Sequence, residues 1–189
     1  MPERRVKMEF FNENLSHVLC VLLLVGRLGD IVSTYIATPN LKLEANPIIR
    51  KFKFRFAFMT SLICLVPYWD QGMGVVLIVA SYLISFMNIS KLWFLKTLGE
   101  DRAFKLHIFI AQQSSMWVPV LISSIAYSFL AGIGVLCIVF YPQTHEWAFN
   151  FGVGFLTFAV AIQIHTIFYF KRIFRVAKNE RYKLIIERA

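Results

Sequence analysis

Five apolar runs, each near the length of a membrane-crossing helix, leave this chain little material for any other architecture. A helix needs about 20 mostly apolar residues to cross a bilayer core of roughly 30 Å. The runs are 15–37, 47–69, 75–95, 117–140 and 147–170. The second has a short uninterrupted core and reaches crossing length only if a helix starts at Pro47, with Asn46 as its N-cap. Composition agrees: 58% of the 189 residues are hydrophobic and 16% charged, where soluble domains have roughly 45–50% and about 25%. A disordered chain is excluded. So is a water-soluble globule, because the apolar residues come in continuous runs and not on alternating faces.

The predicted fold is an all-α, polytopic transmembrane bundle of five spans. It forms one domain over residues 1–170, with a basic tail over 171–189. Residues 104–116 are ambiguous. Joined to the fourth run they would make a helix of roughly 55 Å, too long for one ordinary crossing. They read as an interfacial segment that turns into the fourth span. In the tail, Ile173, Phe174, Leu184 and Ile185 give a roughly amphipathic pattern, read as a helix on anionic headgroups. The three cysteines, Cys20, Cys64 and Cys137, lie inside apolar runs without metal-type spacing and read as buried thiols.

Charge sets the orientation. The chain has 20 Lys and Arg against 11 Asp and Glu, a net charge of +9. The basic residues flank the apolar runs, so the expected partner is an anionic lipid surface and not nucleic acid. Sixteen of them fall on the side that holds the 38–55 and 91–105 connections and the C-terminal tail. Arg4, Arg5 and Lys7 are the three on the other side. The positive-inside rule puts the C-terminus in the cytoplasm and the N-terminus outside the cell (inner) membrane. No small-x-small cleavage site follows the first run, which reads as a retained anchor. Small residues four apart, Ser124, Ser128 and Gly132 in the fourth run, Ala148 and Gly152 in the fifth, and Ser81 and Ser85 in the third, permit close helix packing and homo- or hetero-oligomers.

Polar residues inside the runs carry the functional signal. A charge at a helix centre costs about 2.5–3.5 kcal/mol on insertion scales. Arg27 and Asp30, three apart, share one face of the first helix, and Thr34 extends the stripe. Asn88 and His165 fall in the same half of the third and fifth spans. These residues imply a polar pocket open to the cytoplasm; the alternative is an internal Arg27–Asp30 ion pair that only ties helices together. The four histidines, His17, His107, His145 and His165, occur singly, which gives no haem pattern, and there is no nucleotide or hydrolase motif.

One local pattern is sharper. Gly29-Asp30-Ile31-Val32-Ser33-Thr34 is followed, nine residues on, by Glu44-Ala45-Asn46-Pro47. It resembles a family of small multi-pass prokaryotic membrane proteins of unknown function with a D-x-x-(S/T)-T … E-x-N-P signature, and Asn88 suits a recurrent polar position there. The resemblance covers roughly residues 26–48 and transfers no activity. The connection before Glu44 lacks the glycine that the family pattern implies.

Physically, the signature offers hard oxygen ligands, suited to a divalent cation, Na⁺ or a proton relay. Asp30 lies roughly 10 Å below the end of its helix, so it shares a site with Glu44 only if the 38–46 connection folds inward. Asn46 can equally serve only as a helix cap. Three functions stay open. A binding or transport protein for a small solute or cation would use Asp30 as its working carboxylate. An accessory or assembly subunit would use Arg27 and Asp30 for helix pairing. A metal-dependent enzyme acting on lipid would hold the ion with Asp30 and Glu44, and it ranks below transport because no second carboxylate cluster accompanies Glu44.

Overall fold

The structure, a computed structural model, describes residues 2–44, 46–53, 55, 59–141 and 146–186, with side chains between 14 and 179 except Pro47. Among the described residues all regular structure is helical: α1 (Pro2–Ala37), α2 (Pro47–Phe52), a 3-10 helix (Thr60–Tyr68), α3 (Gln71–Leu98), α4 (Glu100–Gln113), α5 (Trp117–Phe140) and α6 (Glu146–Ile186). Four stretches are long and apolar enough to cross a membrane: Asn14–Ala37, Gln71–Leu98, Trp117–Phe140 and Glu146–Asn179. The chain is a multi-pass helical membrane protein.

The second apolar run departs from the single helix expected over 47–69. It starts as predicted, with Asn46 accepting a hydrogen bond from the Ile48 amide at 2.9 Å and proline in the first turn. It then stops after six residues at Lys53, whose φ of 55° is left-handed. Residues 55 and 59 are helical, and Thr60–Tyr68 forms a nine-residue 3-10 helix containing Pro67. Proline has no N–H to donate, so Pro67 leaves one carbonyl of the preceding turn without its helical bond. At about 2.0 Å per residue this piece covers only about 18 Å.

Side-chain contacts fix the register of the bundle. Gln71 of α3 donates to Ser16 of α1 at 3.1 Å, and Asn88 of α3 donates to Thr34 of α1 at 3.0 Å. The two helices are therefore parallel. Between those bonds they nearly touch: a Cβ on Gly29 would stand 2.5 Å from the Ser85 hydroxyl. The 3-10 helix runs antiparallel to α1, with Thr60 beside Arg27 and Tyr68 beside His17. Helix α6 is parallel to α3, with Asn150 near Gly72 and Gly154 against Val79.

Helix α5 packs antiparallel on α6, where Gly134 and Gly152 meet. A Cβ on either would stand 2.7 Å from the other's carbonyl oxygen. Gly152 is one of the small residues expected at a packing face, as are Ser81 and Ser85, which meet Gly26 and Gly29 of α1; on α5 the contact falls on Gly134 and not on the expected Ser124-Ser128-Gly132 stripe. Ser124 does meet α6, accepting a bond from Gln163 at 2.7 Å, but Ser128 is exposed and Gly132 has open space beside it. The reason is rotational: α5 turns Gly134 toward its neighbour, which swings Gly132 away.

Two further boundaries move. Residues 104–113 belong to a separate helix, α4, which begins at Glu100 and is broken from α5 at Ser114. The basic tail is not a separate element. Helix α6 passes through residue 171 without a break and runs 41 residues to Ile186. The apolar residues Ile173 and Phe174 do not lie open to headgroups; Ile173 is fully buried with Ile108 and Ala111 of α4, and Phe174 packs on the same cluster. Leu184 and Ile185 lie outside the described side chains.

Candidate functional site

The polar stripe of α1 is met by two neighbours. Arg27 donates from Nη1 to Asp30 Oδ2 at 3.1 Å and from Nη2 to Thr60 Oγ1 at 2.7 Å. Asn88 donates from its amide nitrogen to Asp30 Oδ1 at 2.9 Å and to Thr34 Oγ1 at 3.0 Å. Both Asp30 oxygens are thus engaged, by a cation on its own helix and an amide on the next. The side chains of Arg27 and Asp30 are 18% and 17% exposed. The network is nearly closed. Its loose end is Arg27 Nε, which is buried and has no hydrogen-bond partner among the described residues.

The 38–46 connection does fold inward. The side chain of Glu44 is only 12% exposed, and His165 of α6 lies 3.2 Å from its Oε1. The same oxygen accepts the Asn46 amide at 2.7 Å, and Arg172 donates to the Glu44 carbonyl at 2.8 Å. The candidate residues Asp30, Thr34, Glu44 and Asn46 therefore fall into two groups. Asn88 completes the first and His165 the second.

Glu100 holds this loop in place. Its buried carboxylate accepts the Asn40 amide at 2.9 Å through one oxygen and the Lys42 amide through the other. Hydrogen bonds to a charged acceptor contribute about 1.5–3 kcal/mol. Glu100→Ala should therefore destabilise the loop by about 2–3 kcal/mol and greatly speed amide exchange at residues 40–44. Glu100→Gln, which keeps one carbonyl acceptor, should lie between. Hydrogen–deuterium exchange reads both, and unchanged exchange in Glu100→Ala would show that the loop is held by other contacts.

Sequence reasoning missed Thr60, Glu100 and Arg172. Thr60 carried no signal, because its contact depends on where the broken second run returns to α1. Arg172 did carry one: His165, Tyr169 and Arg172 fall at i, i+4 and i+7, on one helical face. Tyr169 is hydrogen-bonded to His107 of α4. Burial, reinforced by the charge of Lys91, holds the His107 pKa below its ordinary value. His17 pairs instead with Tyr68 at the far end of α1, and His145 lies outside the described residues.

Among the described residues no group of three or more His, Cys, Asp or Glu side chains is placed to hold a metal ion. No protein family, curated protein or solved structure matches this chain.

Proposed function

We propose that this protein binds or passes a small cation or proton through its intramembrane polar site, with Asp30 as the working carboxylate and Arg27 restraining its charge. Glu44 and His165 form the second stage, between Asp30 and the end of the bundle. Two contacts carry the reading: Asp30 of α1 accepts from Asn88 of α3, and Glu44 of the 38–46 connection lies 3.2 Å from His165 of α6. Membrane-embedded ionisable groups are expensive, and they concentrate on ion and proton pathways. Arg27 Nε, buried and without a hydrogen-bond partner among the described residues, is consistent with the same reading, since such an atom accompanies a working role, a bound water or an ion. The resemblance to the signature-bearing family belongs to this proposal, because three of its polar positions, Asp30, Thr34 and Glu44, take part in these contacts.

The test is flux. Purified protein in liposomes loaded with a pH-sensitive dye should carry protons, alone or against an imposed Na⁺ or K⁺ gradient, above protein-free vesicles. Absence of flux under every gradient would leave helix pairing as the better account. That second reading has its own support, since Arg27 and Asn88 tie α1 to the 3-10 helix and to α3. A metal-dependent lipid enzyme has less, because each carboxylate is already engaged by protein donors.

The proposal includes the topology: five crossings in the cell (inner) membrane, with the C-terminus cytoplasmic and the N-terminus external. The broken second run serves as the fifth crossing. Its support is the register, with Thr60 level with Arg27 and Tyr68 with His17, and α3 then starting at the Ser16 end of α1. A reporter fused after Ala189 should read cytoplasmic and one placed at Gln71–Gly72 external. A cytoplasmic reading at Gln71 would remove the fifth crossing and with it the direction in which the pocket opens.

A further inference from the structure

The oxygen atoms of the polar site are largely spent on protein N–H groups. Asp30 meets Arg27 through Oδ2 and Asn88 through Oδ1. Asn88 donates to both Asp30 and Thr34, so it turns its NH₂ group, and not its carbonyl, toward them. Asn46 Oδ1 caps the Ile48 amide at 2.9 Å, and Glu44 Oε1 accepts the Asn46 amide at 2.7 Å. A bound divalent cation gathers about six to eight oxygens, and an alkali cation needs oxygens in place of its hydration shell. A donor set rich in N–H groups, with a guanidinium at Asp30, opposes both. A proton asks only for one lone pair.

We propose that the ion this protein takes is the proton, and that the Glu44–His165 contact is the point at which it is exchanged with water. This rests on the reading of the polar site as a cation path, which it narrows to one ion. Ionised Glu44 only accepts hydrogen bonds, so the 3.2 Å contact puts the imidazole proton on His165 Nε2 and leaves a lone pair on Nδ1. His165 makes no other hydrogen bond among the described residues. Its side chain is 43% exposed against 12% for Glu44, which makes it the outer member of the pair. Glu44 stands in non-helical backbone. Such backbone lies at a membrane boundary or lines a water-filled cavity, so water reaches the imidazole. A hydronium proton adds to Nδ1 and its water leaves, while the Nε2 proton passes to Glu44 Oε1. His165 is then neutral with its proton on Nδ1, Glu44 is a neutral carboxylic acid, and the reverse sequence unloads it. Arg172, donating to the Glu44 carbonyl at 2.8 Å, and the Asn46 amide hold the carboxylate in place for this transfer.

The experiment compares three ions in liposomes that hold the full-length protein. Proton entry is read by a trapped pH dye, with valinomycin and K⁺ balancing charge, and Na⁺ and Rb⁺ entry by radioactive tracer without valinomycin. Proton entry should exceed that of protein-free vesicles, and Na⁺ and Rb⁺ entry should not. His165→Gln and Glu44→Gln each keep a hydrogen-bonding group in place but lose the proton site. Each should lower proton entry by about a hundredfold, the low end of what a positioned proton-transfer group contributes. Unchanged hydrogen–deuterium exchange at residues 40–44 checks that the loop stays folded in both. His17→Gln, at the far end of α1, should leave proton entry unchanged. Na⁺ or Rb⁺ entry above background would overturn the proton assignment while leaving the cation path standing, as would proton entry that survives both substitutions. No entry of any ion would overturn the path itself, and this assignment with it.

Discussion

Asp30→Asn should destabilise the folded bundle by about 3 kcal/mol, the lower end of the roughly 3–5 kcal/mol associated with stranding a buried charge. Asparagine keeps the shape and can still meet Asn88 and Arg27, but it removes the negative charge that offsets the guanidinium. Arg27 then has only neutral acceptors inside the bundle. The double change Arg27→Gln with Asp30→Asn should recover stability to within about 1 kcal/mol, since neither charge is left alone and two insertion costs of about 2.5–3.5 kcal/mol disappear. Denaturant titration in detergent measures both effects. Flux then separates the two functional readings. If Asp30 is the working carboxylate, the double variant is as stable as the wild type and inactive. A stable and fully active double variant would show that the pair exists only to join helices.

The second large effect belongs to the α5–α6 contact. Gly152→Leu should separate these helices, because even a Cβ there would stand 2.7 Å from the Gly134 carbonyl oxygen and 2.8 Å from the Cys137 Cβ. Overpacking of this kind costs typically about 1–3 kcal/mol where the surroundings can shift. Here one of the opposing atoms is backbone, and α5 makes its extensive contacts with α6 alone, so the upper end applies. Protease accessibility of the connection that begins at Tyr141 should rise in Gly152→Leu, whereas Gly132→Leu, beside open space, should be tolerated. Equal behaviour of the two variants would mean that α5 is held by something other than the glycine contact.

These residues also show what the sequence made legible. Hydropathy exposed the all-helical, multi-pass character, because a 20-residue apolar run has few other uses. The Arg27–Asp30 spacing exposed their shared face, and the N-cap at Asn46 was readable from Asn-Pro alone. Hydropathy did not distinguish an α-helix from the α2 and 3-10 pieces of the second run, since it registers only the apolar content of the run. Nor could it choose between the two glycines of α5. Gly132 and Gly134 are equally small, and only the rotation of the helix decides which one meets Gly152. The Glu100 clamp was hidden for a related reason. An acidic residue in the first turn of a helix is adequately explained by the helix dipole, so nothing in its local sequence pointed to backbone amides some 60 positions away.

The unbroken course of α6 has a mechanical consequence. Its 41 residues make a rod of about 60 Å, roughly twice the thickness of a hydrocarbon core. The same rigid body carries the Gly152 seat near one end, His165 and Arg172 along its middle, and a basic extension beyond them. A small axial twist applied to that extension would be transmitted to the imidazole at His165 with no hinge among the described residues to absorb it.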